Sequence, residues 1–457
     1  MALDIVIMAA GKGTRMKSSL PKVLHRLAGR SLLQHVVQTA TELGAERIVT
    51  VTGHGADAVE EAIRAPGLQF VRQMPQLGTG HAAQQAAPLL HDEGTTLILY
   101  GDVPLIGLPT LRSLVAACDG RRLAVLTLDM ADPTGYGRIV REGGRVRAIV
   151  EHKDATPEQR SIREVNTGVI AAPTAALKRW VAALTNDNAQ GEYYLTDVVE
   201  MAVAESMEVV TAQPASDTEV LGVNSPAQLA DLERRYQRAQ AERLMDAGVR
   251  LADPARFDLR GELAYGSDVE IDINCLFEGR VELAEGVRVG ANCCIRNAVI
   301  GRGAVIHPFT HIDGEKLGVT IGAGALIGPF ARLRPGAQLG DEVHIGNFVE
   351  VKNSTLAKGA KANHLAYLGD ATVGERVNYG AGSITANYDG ANKHRTIIGN
   401  DVHVGSNCVL VAPVTLGDGA TIGGGSTIAK DAPAGQLTLT RAPQVTLAGW
   451  TRPTKKK

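Results

Sequence analysis

Directly after the apolar run Ile5-Val6-Ile7 the chain reads MAAGKGTRMKSSLPK, ending at Lys22. Gly11 and Gly13 let backbone N–H groups approach a phosphate closely, and Arg15 and Lys22 can neutralise its charge. No G-x-x-x-x-G-K-[ST] occurs, so this is not a Walker loop. Met16 stands where a dinucleotide fingerprint needs its third glycine. QLGTGHA (76–82) offers a second glycine turn ahead of a helix. LYGDVPL (99–105) places Asp102 just past a buried strand, where a carboxylate can hold a metal, and GVNSP supplies Asn224 as a second oxygen ligand. Far downstream, His364 lies in LAKGAKANHLAYLGD with Lys361 and Tyr367 close by, and ITANYDGANKHRTI carries Asn387 and Tyr388. A histidine there can act as a general base near neutral pH.

The elements that must position these groups differ between the two halves. Up to about residue 225, apolar runs at 5–8, 47–51, 96–100, 123–128 and 165–171 alternate with helical patterns at 31–43, 81–90, 110–117 and 175–183. Strands separated by helices predict parallel βαβ units in a doubly wound α/β domain, with ligands outside the carboxyl ends of the strands. Residues 226–247 contain no glycine or proline after Pro226, and Leu229, Leu232, Tyr236, Ala239 and Leu244 fall near one face. Ser225 is the expected N-cap and Gly248 the stop of a long, exposed helix that acts as a strut between domains.

Beyond residue 265 a six-residue beat takes over. Ile321, Ile327, Leu333, Leu339, Ile345 and Val351 stand six apart, and so do Ile398, Val404, Leu410, Leu416, Ile422 and Ile428. Such a period predicts a parallel β-helix of stacked short strands. The beat breaks near 356–368 and 386–397, and both breaks are expected to be surface loops that carry function.

A chain of 457 residues exceeds one ordinary core, and the expected division is 1–225, a linker helix at 226–248, and 249–457. Lys plus Arg is 47 against 49 Asp plus Glu, which gives no general pull toward nucleic acid or anionic membrane. No apolar run reaches membrane-span length, and the start lacks a signal-peptide plan. The five cysteines form neither a metal spacing nor a disulfide framework, and a reduced cytoplasm is expected.

The opening stretch, A-A-G-x-G-T-R-M followed by P-K, resembles the sugar-phosphate nucleotidyltransferases. PTGYGRIV, IVEHKDA, EVNTGV and NDNAQGEYYLTD extend that resemblance, over essentially the whole chain to the basic tail 455–457, to the bifunctional bacterial N-acetylglucosamine-1-phosphate uridyltransferase/glucosamine-1-phosphate acetyltransferase family. The resemblance implies an N-terminal Rossmann-like nucleotidyltransferase domain and a C-terminal left-handed parallel β-helix of hexapeptide repeats. It implies acetyl transfer from acetyl-CoA to glucosamine 1-phosphate, then uridyl transfer from UTP to N-acetylglucosamine 1-phosphate. The product would feed peptidoglycan and lipopolysaccharide precursors.

Residue by residue, the resemblance assigns Ala9, Ala10, Gly11, Lys22, Gln73, Gly78, Thr79, Tyr100, Gly101 and Asp102 to the nucleotide, and Gly137, Glu151, Asn166 and Asn224 to the sugar-phosphate side. Arg15 and Lys22 would serve uridyl transfer, and Asp102 and Asn224 would hold Mg²⁺. In the β-helix His364 would be the general base. Arg334, Lys352, Tyr367 and Asn378 would bind the amino-sugar phosphate, and Ala381, Asn387, Tyr388, Ser406, Gly424 and Arg441 acetyl-CoA. The family more often has alanine where Gly424 stands. A homotrimer through the β-helix is implied, with small-molecule substrates and neither nucleic acid nor a membrane span. The alternatives are a single-activity nucleotidyltransferase with a structural or regulatory β-helix, and a non-catalytic sugar-nucleotide sensor.

Overall fold

The computed structural model describes residues 2–455; Lys456 and Lys457 of the basic tail lie outside the described residues. The chain divides into two compact units between Tyr236 and Gln237.

The first unit is built on Leu3–Met8, whose side chains after Asp4 are apolar and buried, as a strand covered on both faces requires. It pairs in parallel with Arg47–Thr52 on one side and Thr95–Tyr100 on the other. Helices Leu32–Glu42 and Leu108–Cys118 cover one face of the sheet, through Leu33, Val36, Leu111 and Leu114. Thr79–Ala86, Thr174–Ala183 and Val198–Ala204 cover the other, around Ala83, Trp180 and Val198.

The expectation of parallel pairing throughout is corrected at one strand. Glu164–Pro173 runs antiparallel to both Thr95–Tyr100 and Leu123–Asp129. The chain reaches it through the hairpin Arg138–Glu142/Arg145–Val150 and the single-turn helix Pro157–Arg160, not through a full crossover helix of the kind that restores a parallel direction.

The second unit is a parallel β-helix. One face stacks eleven short strands, and the other two faces join into a sixteen-stranded sheet through Cys294–Ile300, which pairs with both His311–Asp313 and Val319–Ile321. The aliphatic residues of the beat point inward and are buried from Ile321 to Ile428.

The first break in the beat is not a loop. Lys361–His364 and Tyr367–Gly369 are strands in register with the coil before them. Ala362 takes the inward place, and the coil is one residue shorter, stepping five from Val351 to Leu356. An inward alanine hid the continuing period. The second break is a true insertion between the strands Ile384–Ala386 and Thr396–Ile398.

The helix Pro226–Asp246 starts as expected, with the Ser225 hydroxyl accepting from Gln228 N at 3.3 Å, and Gly248 follows at φ +97°. It is not an exposed strut. Leu232 is buried with Met16, Leu27 and Leu32 in the first unit. Ala241 and Leu244 are buried with Phe257 and Val269 in the second. Gln237, 1 % exposed, donates to Leu259 O at 3.0 Å and accepts from Leu259 N at 2.7 Å, closing the free edge of strand Phe257–Tyr265.

Candidate active sites

The carboxyl ends of the central strands open into a cleft of ≈ 330 Å³. Ala9, Ala10, Gly11, Lys22, Gln73, Gly78, Thr79, Tyr100 and Asp102 all line it. Gly13 sits at φ +60°, and a Cβ there would come within 2.6 Å of Lys22 Cβ, so glycine lets the lysine fold back over the turn. Gly78, at φ +107°, likewise lies under Tyr193, whose carbonyl would be 2.6 Å from an added Cβ. The Gln73 amide donates to Gly78 O at 2.8 Å and holds the second turn against the strand ends.

The Lys22 ammonium is held by the Asp102 carboxylate and by Asn224 Oδ1, the latter at 3.0 Å. Val223 N donates to Asp102 O at 2.9 Å, which brings Asn224 to Asp102 although they are far apart in sequence. A carboxylate and an amide oxygen converging on one cation position fit magnesium, whose other ligands are usually water and phosphate oxygens. Among the described residues no group of three His, Cys, Asp or Glu offers a fuller cage. Arg15 is exposed on the turn Thr14–Met16 and is not among the residues that line the cleft.

Gly137, Glu151 and Asn166 form a second group. Asn166 N donates to Gly137 O at 2.9 Å, and a Cβ on Gly137 would lie 3.5 Å from Glu151 Oε1. Tyr100 joins the two groups: it lines the cleft, and its ring covers Gly168, whose N–H donates to Asn166 Oδ1 at 3.0 Å. Gly101 packs beneath, against Val23 and Leu33. Burial, then the Glu151 and Asp102 charges, push the Tyr100 phenol well up. Burial also raises Glu151, while the Thr196 hydroxyl, donating at 3.1 Å, opposes the rise. Asp197 is pushed up to about 6, first by burial and then by Glu200, Glu151 and Asp154.

The residues missed in sequence here are Gln76, Glu192 and Thr196. The EYYLTD stretch signalled the last two. Its backbone ties the second glycine turn down, with Gly80 N donating to Tyr193 O at 2.7 Å and Leu195 N to Thr79 Oγ1 at 3.2 Å.

In the β-helix, His364, Ala381, Ser406 and Gly424 each stand two residues after an inward residue of one face, following Ala362, Tyr379, Val404 and Ile422. They therefore form a column, one per coil. Gly382 N donates to His364 O at 3.3 Å and Gly425 N to Ser406 O at 2.7 Å along it. Arg441 lies beside Gly423 and Gly425. Gly424 approaches Ser406 through its backbone, and a Cβ there would meet only ordinary contacts at 3.4 Å, so this position accepts glycine or alanine.

Arg334, Lys352 and Tyr367 lie on the next face, Arg334 paired with Glu350 at 2.8 Å. Lys352 stands beside Lys393 from the inserted loop, and that second ammonium pushes its pKa down. Asn378 stays on the first face, paired with Lys361, and is not brought to Arg334 and Lys352. Asn387 donates to the buried Asp370 carboxylate, which also receives Asn353 and so anchors the insertion. Tyr388 is exposed, its hydroxyl donating to Gly390 O at 2.6 Å.

Sequence comparison agrees with both halves. The model of the MobA-like NTP transferase domain matches residues 5–247, and that of the bacterial transferase hexapeptide (six repeats) matches 318–353 and 395–430. The fold and the sites thus define a nucleotidyltransferase joined to a hexapeptide-repeat transferase. The relative named bifunctional protein GlmU from Methylibium petroleiphilum is 75% identical over 100% of both chains. Those of Polaromonas naphthalenivorans and Aromatoleum aromaticum are 68% and 60% identical over 99% and 100% of this chain. The chain belongs to the bifunctional GlmU family.

Proposed function

We propose that the β-helix unit moves the acetyl group of acetyl-CoA to glucosamine 1-phosphate, and that the first unit then couples the N-acetylated product to UTP, releasing pyrophosphate. The observation that carries the reading is the presence of both constellations in one chain: the cleft around Lys22 and Asp102, and in the β-helix the His364 column on one face with Lys352 and Lys393 together on the next.

In acetyl transfer the amino nitrogen attacks the thioester carbonyl, His364 takes the proton lost from nitrogen, and the CoA thiolate leaves. Arg334, Lys352 and Tyr367 hold the sugar phosphate, for which two adjacent ammonium groups are suited only when an anion shares them. In uridyl transfer a sugar-phosphate oxygen attacks the α-phosphorus of UTP. The glycine turn and Lys22 hold the triphosphate, Arg15 adds charge at the rim, and Glu151 and Asn166 orient the sugar. Asp102 and Asn224 would hold Mg²⁺, which supplies charge neutralisation on the phosphates.

We further read the working form as a trimer in the cytoplasm. Asn378 stands on a different face from Arg334 and Lys352, which supports a site completed by a second copy. Phe309, Phe330 and Phe348 form an exposed ladder, stacked at 4.9 and 5.3 Å, that such packing would cover. The five unpaired thiols suit a reducing compartment.

The test is a mass balance with acetyl-CoA, glucosamine 1-phosphate and UTP. All three together should yield UDP-N-acetylglucosamine, and omitting UTP should leave N-acetylglucosamine 1-phosphate. With N-acetylglucosamine 1-phosphate supplied in a separate reaction, uridyl transfer there but no CoA release from glucosamine 1-phosphate would leave a single-activity enzyme, and neither activity would leave a sensor.

A further inference from the structure

His364 does not stand alone in its column. One coil earlier the same position, two residues after the inward Ile345, is Asn347. Strands His344–Asn347 and Lys361–His364 pair in parallel with Asn347 opposite His364, so their side chains emerge side by side. His364 Nδ1 and Asn347 Oδ1 are 2.9 Å apart. An amide oxygen can only accept, so Nδ1 carries the proton and Nε2 keeps its lone pair. We propose that Asn347 is a positioning residue for acetyl transfer, fixing the His364 tautomer and aiming Nε2 at the amine. This rests on the reading of His364 as the base.

The arrangement follows a general rule: a catalytic imidazole is set by the hydrogen bond that its other nitrogen makes. Here the partner is neutral. It orients the ring without adding the charge that a carboxylate would. The other titratable groups around it are Lys361 on its own strand, Tyr367 at the start of the next, and His344 opposite Lys361. His344 is itself lowered by burial, then by Lys361, His307 and His364. From the coil above come Asn378 and the inward, buried Tyr379.

The experiment uses the full chain and three variants, His364→Ala, Asn347→Leu and Asn347→Asp, with CoA release measured across pH and uridyl transfer as the folding control. Asn347→Leu should lower kcat for acetyl transfer about tenfold or more, with KM for acetyl-CoA within about twofold and uridyl transfer unchanged. Asn347→Asp keeps the acceptor and should restore kcat at high pH. Its charge favours imidazolium, so the rise of rate with pH should move upward by about one unit. Asn347→Leu with normal kcat and pH profile, while His364→Ala is crippled, would overturn the proposal and leave the base intact. An aspartate variant no better than leucine, or one with an unmoved profile, would also overturn it. His364→Ala retaining more than a tenth of the activity would instead remove the base, and the proposal with it.

Discussion

Lys22 joins two oxygens that come from distant parts of the chain, Asp102 from the end of a central strand and Asn224 from the segment before the long helix. Asp102→Asn removes the only carboxylate of the pair. It should abolish uridyl transfer in Mg²⁺ while acetyl transfer continues; near-normal uridyl transfer would show that the metal is held elsewhere. Asp197 gives a pH prediction. Its folded value, raised to about 6 from the ordinary aspartate range near 4, means that the folded state binds the proton more tightly than the unfolded chain. That stabilisation is complete below about pH 4 and is lost as pH rises through about 6. Asp197→Asn should therefore raise the melting temperature of the first unit at pH 8 and change it little at pH 4; an equal shift at both would refute the burial cause. At this scale the sequence pointed to charged and glycine residues in motifs, and the structure brings Gly11, Lys22 and Asp102 together in one cleft. It was silent on the neutral side chains that contact them, as Thr196 contacts Glu151 and Asn347 contacts His364. Their partners are a strand or a coil away, and only the fold supplies that adjacency.

Among the elements, the six-residue beat revealed the β-helix because each inward place normally takes an aliphatic residue. It misled where Ala362 and Thr385 took that place, since a small or hydroxylated residue still fits when its backbone neighbours satisfy it, as Gly369 does for the Thr385 hydroxyl at 2.8 and 2.9 Å. The antiparallel strand Glu164–Pro173 was hidden for another reason: apolar runs mark a buried strand but carry no direction. The long helix was legible in extent but not in role. Gln237 pairs with both backbone groups of Leu259, and Ala241 and Leu244 complete the first coils. A solenoid needs such a cap. A fragment starting near Arg250 should therefore melt lower and aggregate more than one starting near Ser225, while the longer fragment acetylates glucosamine 1-phosphate without UTP. Equal stability of the two fragments, by thermal unfolding, would show that the helix caps nothing.

For the whole molecule, two separate sites predict that damage stays local. Asp102→Asn mixed with His364→Ala should regain UDP-N-acetylglucosamine synthesis, because one variant makes the intermediate that the other consumes; no recovery would mean that the intermediate never leaves its chain. If the proposed trimer packs through the aromatic ladder, Phe330→Asp should break it and depress acetyl transfer, with uridyl transfer spared. A variant that remains trimeric by light scattering would remove the aromatic ladder from the interface. The column of His364, Ala381, Ser406 and Gly424, with Arg441 at its far end, has a metric consequence. Neighbouring strands lie about 4.8 Å apart, so the coils form a graduated rod, and four steps from imidazole to guanidinium span about 19 Å. On the proposed reading, this rod measures out the arm of acetyl-CoA and sets its thioester at the height of the base. Deleting a single coil between His364 and Ser406 would keep the imidazole, Ser406 and Arg441 yet shift the thioester by one graduation, beyond the reach of a proton transfer.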